Sequence, residues 1–141
     1  MSRTSIDNVK RSGRFNSYEW NDSQAIAIST LDYLIEQYGS PDYIKTDLEG
    51  YELPVVRGLS RAVPLLSFEF APEAIESAIG CIEHLTSLGE FKFSHTIDRD
   101  RALASPTWMQ TEQACAYFTD WSSRGDMRSA DIFASKISRK A

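Results

Sequence analysis

Asp47, Glu49 and Glu52 lie close together around Gly50 in the stretch YIKTDLEGYELPVVRGLS, residues 43–60. A fourth acid, Glu69, stands near the end of the apolar run VPLLSFEF, residues 63–70. Crowded carboxylates raise one another's pKa, so one of such a group can act as a general base near neutral pH. The same oxygens can instead share a divalent cation. Each residue also has a structural explanation. A helix dipole favours Glu49 and Glu52 in a first turn, and Gly50 permits a tight turn. Asp47 is the hardest to explain structurally, because strands select against aspartate.

The elements around these residues must bring them together. Pro41 precedes an expected strand over 42–47, and a helix is expected over 52–59, with Pro54 tolerated in its first turn. The run 63–70 is nearly continuous in apolar residues, as suits a strand covered on both faces. Upstream, QAIAIS (24–29) reads as a short strand. Thr30 then caps a helix through Tyr38, with Leu31, Leu34, Ile35 and Tyr38 on one face and Gly39 as its stop. A long helix over 72–88 carries the stripe Ile75, Ala78, Ile79, Ile82, Leu85 and Leu88 and ends at Gly89. A strand over 91–97, a polar loop, a helix over 110–122 and a strand over 130–137 complete the chain.

This alternation of strands and helices predicts an α/β sheet. In such sheets ligands bind beyond the carboxyl ends of the strands. Asp47 and Glu69 share a crevice if their strands are neighbours. Residues 1–24 are polar, with Phe15, Tyr18 and Trp20 among turn formers, and read as an arm or irregular hairpin. The remainder, 25–141, reads as the domain.

Composition sets further bounds. The 141 residues suffice for one domain with its own core, and 42% hydrophobic and 25% charged residues are ordinary for a globular chain. A net charge of −5 argues against a general nucleic-acid binder. Cys81 and Cys115 form no CxxC and have no histidine at ligand spacing, so neither a zinc site nor a disulfide framework is expected. The N-terminus has no apolar core of a signal peptide and no run long enough to span a bilayer, which places the chain in the cytoplasm and off the membrane. His95 is in phase with Phe91, Phe93 and Ile97, and so faces the core or the crevice rim. His84 falls off the apolar stripe and reads as a surface residue. Trp108 and Trp121, with Tyr117 and Phe118, are candidates for a pocket wall or for core.

The segment IKTDLEGYELPVVRG closely resembles the central motif of the FkbM family of methyltransferases, a strand ending in a D-x-E-G-x-E turn. AIAISTLDYLIEQYGSPDYIK is similar to that family's lead-in helix, PLLSFEF to its next strand and ADIFASKI to its last, so the likeness runs from 24 to 137. The resemblance implies a partial Rossmann-like class I methyltransferase sheet of about four to five strands, with helices on both faces and an antiparallel last strand. It implies methyl transfer from S-adenosylmethionine, usually to oxygen. On that reading Asp47, Glu49 and Glu69 are the catalytic set, and Asp47 also faces the cofactor's sulfonium. Glu52, Gly50 and His95 stand on the substrate side, and no metal ligand is assigned. The acceptor is a small or sugar-like molecule.

The family's glycine-rich cofactor loop has no counterpart, because the seven glycines include no GxG. The chain is therefore expected to be the C-terminal half of the domain, binding the cofactor weakly or not at all by itself. Its strand over 42–47 would then be an open edge, ready for a second copy or a complementing chain. Two other readings remain: a non-catalytic interaction module using that edge, and a metal-dependent nucleotide-sugar glycosyltransferase with D-x-E as its acidic motif.

Overall fold

The computed structural model describes Lys10, residues 24–98, Asp100 and residues 102–137. The expected arm or hairpin therefore lies outside the described residues, apart from Lys10 and Gln24. Helix α1 (Leu31–Tyr38) starts where the Thr30 hydroxyl accepts the Tyr33 N–H at 3.2 Å, and stops at Gly39, whose φ of 91° suits a residue without a Cβ. Strand β1 is Ile44–Thr46, helix α2 Glu52–Val56 and strand β2 Leu65–Phe70. A 3-10 turn, Pro72–Ala74, leads into α3 (Ile75–Leu88), because Pro72 has no N–H to lose at a helix start. Then come β3 (Phe91–His95), α4 (Thr111–Ser123) and β4 (Ala130–Lys136).

The strands form one mixed sheet in the order β1-β2-β4-β3. Strands β1 and β2 are parallel, and β4 runs antiparallel to both β2 and β3. The expected α/β sheet with an antiparallel last strand is thus what the chain forms. Because β1, β2 and β3 all point the same way, their carboxyl ends meet at one end of the sheet.

One face of the sheet carries Leu66, Phe68, Phe70, Phe91, Phe93, Ile132 and Ala134, all buried. Helix α3 covers it with Ala78, Cys81, Ile82 and Leu85, and α4 with Ala114, Phe118 and Trp121; α1 adds Leu31 and Ile35 at the margin. Among the described residues the helices gather over this face. Each fully buried Phe, Leu or Ile contributes about 1.5–3 kcal/mol. The opposite face presents Lys45, Ser67, Glu69, Asp131, Phe133 and Ser94, a mixture with far more polar character.

Several expected elements change. The segment 24–29 is not a strand: it is irregular, and Ile26 and Ile28 are 74% and 77% exposed. Its alternation supplies strand propensity, but no neighbouring strand among the described residues supplies the ladder. The helix expected over 52–59 ends at Val56, where Arg57 and Gly58 turn, and the strand expected over 42–47 is only three residues long. His84 is half-buried rather than on the surface, its Nε2 lying 2.9 Å from the Leu59 carbonyl oxygen. Among the described residues no helix is long and apolar enough to cross a membrane.

Candidate functional site

Asp47 follows β1 directly, and the pairing of Thr46 with Phe68 puts Asp47 beside Glu69, whose own partner across the ladder is Asp131. Glu49 reaches the same place from the turn. Carboxylate oxygens of Asp47, Glu49 and Glu69 all lie within 4.8 Å of one another. The structure therefore gathers three of the four expected acids on the more polar face, at the carboxyl end of the sheet.

The turn that aims Glu49 is held by backbone geometry and by Glu52. Glu49 has φ of 51° and Gly50 φ of 91°, both left-handed, a conformation costly for the glutamate and easy for the glycine. The Glu52 carboxylate folds back to accept the N–H groups of Leu48 at 2.9 Å and Gly50 at 3.2 Å. Glu52 is only 4% exposed, so its work is to hold the turn from beneath rather than to face the crevice. Gly50 permits the turn.

Electrostatics set Glu69 apart. Its pKa is pushed up to about 7, first by burial and then by the negative charges of Glu49, Asp47, Glu52 and Asp131. Lys45 spans β2 to put its Nζ 2.9 Å from both oxygens of Asp131. Tyr43 anchors the same strand through its hydroxyl, 2.6 Å from that of Ser67. Sequence reasoning missed Lys45 and Asp131. Lys45 was legible as the residue two before Asp47 on an alternating strand, but Asp131 depends on the antiparallel register.

His95 is not brought to the acids. It ends β3 on the helix-covered face, 3% exposed, with its Nε2 at 3.1 Å from the Tyr117 hydroxyl. Phe118 and Trp121 pack edge-on against its ring at centroid distances of 5.4 and 5.5 Å, and burial lowers its pKa. Of the expected aromatic wall, Phe118 and Trp121 are core, while Trp108 and Tyr117 line a surface cleft.

Fold and site together define an α/β protein of Rossmann-like architecture with an acidic crevice beyond its strand ends. The family model for the methyltransferase FkbM domain matches residues 2–104, well over half of the chain, and the chain belongs to that family. Neither the curated proteins nor the solved structures yield a match. The family generally uses S-adenosylmethionine. That molecule is a cation at its reacting sulfur, and three carboxylates converging on one exposed crevice fit the charge of that end.

Proposed function

We propose that this crevice serves S-adenosylmethionine-dependent O-methyl transfer, with Glu69 as general base. The observation that carries the reading is the Glu69 carboxyl, poised to about 7 beside Asp47 and Glu49. A base tuned to the working pH removes a hydroxyl proton most effectively. Glu69 takes the proton of the acceptor hydroxyl and leaves the oxygen as a nucleophile. Asp47 and Glu49 hold negative charge where a cationic donor end would lie. Glu52 keeps Glu49 in place by holding the turn. The cofactor, when bound, supplies an electrophilic methyl group on a positively charged sulfur. The acceptor is a small or sugar-like molecule with a free hydroxyl, since the crevice offers acceptor oxygens and the Lys45 ammonium there is already paired with Asp131. Most of the catalytic effect then comes from alignment of the two reactants.

The test is transfer of labelled methyl from S-adenosylmethionine to a panel of hydroxylated acceptors between about pH 5 and 9. The rate should rise through the Glu69 pKa of about 7. Glu69→Gln should lower it by about 100-fold or more. A variant as fast as the wild type sinks the role of Glu69.

A second reading, a non-catalytic interaction module, rests on the outer edge of β1, which has no strand partner among the described residues. It gains if the wild type transfers no methyl group to any acceptor. The 4.8 Å spacing of the acids also admits a divalent cation, as the glycosyltransferase reading requires. Absence of a thermal shift with Mn²⁺ and a nucleotide sugar together dismisses that one.

A further inference from the structure

Beyond β3, at the edge of the sheet away from Asp47, residues 104–109 run as a strap. Met109 exchanges backbone hydrogen bonds with Phe93 at 2.7 and 2.8 Å, and the Ala104 N–H donates to the His95 carbonyl at 2.8 Å. Between these two fastenings the strap stands off from α4 and leaves a cleft of about 390 Å³. That volume lies within the range of small-molecule sites.

The lining has a consistent chemistry. Trp108, Tyr117 and Ala104 provide apolar surface, and none of the described residues lining the cleft is charged. Ser94 and His95 also line it, and they are 1% and 3% exposed. The His95 Nδ1 has no hydrogen-bond partner among the described residues. Buried polar atoms without partners are rare in folded proteins and call for an explanation. Gln113, also in the lining, spends its Oε1 on the Gln110 N–H at 2.9 Å, which leaves its NH₂ group as a donor. The imidazole is neutral at pH 7 because burial lowers its pKa, and the Tyr117 hydroxyl on its Nε2 fixes the ring.

No lining residue carries a charge to pair with an ion, and a cationic ligand would in addition meet Lys92, whose Nζ stands 5.2 Å from the Trp108 ring centroid. A flat uncharged ring would stack on Trp108 and Tyr117, and a hydroxyl or amide edge would meet Gln113, Tyr117 and the neutral imidazole. We propose that this cleft is a binding site for an uncharged planar ligand of one or two fused rings bearing a hydroxyl or amide edge, separate from the acidic crevice. The sheet keeps the two apart. Two strand spacings, about 10 Å, separate β2 from β3, and the cleft lies beyond β3.

Two-dimensional NMR of the whole chain with 2-naphthol as probe tests this, with 2-naphthylmethylammonium as a charged match of the same ring system. 2-Naphthol should shift the Trp108 indole signal and the amides of Ser94 and His95 with a Kd below about 1 mM, and 2-naphthylmethylammonium, repelled by Lys92, should bind about tenfold more weakly. Ala104 is exposed, so substitution there spares the core. Ala104→Trp should fill the cleft and abolish the shifts, and Tyr117→Phe should weaken binding about fivefold, the loss of one hydrogen bond. No shift at about 5 mM probe, equal binding of the two probes, or an Ala104→Trp protein that binds like the wild type would overturn the assignment.

Discussion

At pH 7 the carboxyl of Glu69 is divided between its two forms, because burial and four neighbouring carboxylates resist its ionisation. Its pKa in the folded chain, about 7, lies above the ordinary 4.5, so the folded state holds this proton more tightly than the unfolded chain does. The stabilising contribution is complete below pH 4.5 and is lost as the pH rises through about 7. Glu69→Gln should remove that loss. With the full shift discounted for partial solvent exposure, the variant should be more stable at pH 8 by about 1 kcal/mol, or several degrees in Tm, and should gain little at pH 4. Thermal unfolding at the two pH values reads this directly. The neighbouring Glu52 should behave in the opposite way. Glu52→Ala strands the N–H groups of Leu48 and Gly50, and should cost about 1–3 kcal/mol while disordering the turn that aims Glu49. Chemical denaturation, together with the amide shifts of residues 48–50, checks both parts. The meeting of Asp47, Glu49 and Glu69 was legible from acids at strand ends. The task of Glu52 was not, because it depends on a chain reversal that residue types alone do not specify.

Elements announced themselves where a local group closes them. Thr30 and Gly39 bound α1, Gly89 bounds α3, and Gln110 and Gln113 fix the start of α4 by side chains that need nothing from the rest of the fold. What the sequence concealed was tertiary. Segment 24–29 has the alternation of a strand and no strand partner among the described residues, and α2 stops at Val56 because Gly58 is drawn against α1, where its carbonyl accepts the Asp32 N–H at 3.0 Å. Helix α4 is mostly polar outside, and Phe118 and Trp121 fasten it to Phe70 with ring centroids 5.0 and 5.3 Å apart. Phe118→Ala should therefore cost about 3–5 kcal/mol. Hydrogen exchange should then quicken first in α4, and an unchanged Tm would contradict the packing described.

For the molecule as a whole, the distribution of apolar surface is uneven. Ile26, Ile28 and Tyr38 are 74%, 77% and 85% exposed, and all three lie in the stretch that leads into the edge strand β1. Edge strands with exposed apolar neighbours are surfaces on which a second chain adds. Sedimentation at rising concentration should show self-association or capture of a complementing chain, and replacing Ile26 and Ile28 with lysine should reduce it. A monomer at every concentration, indifferent to the substitution and to added partners, would remove the interaction role.

The crowding at Glu69 makes the crevice sensitive to salt. Of the causes that raise its pKa, the largest is burial, which dissolved ions do not alter; the rest are the charges of Glu49, Asp47, Glu52 and Asp131. At about 1 M ionic strength the screening length falls to about 3 Å, shorter than most carboxylate separations, and those charges lose much of their hold. The midpoint of any pH–rate curve governed by Glu69 should then move downward yet stop short of an ordinary glutamate's. That residual gap would measure how much of the tuning belongs to the buried wall alone.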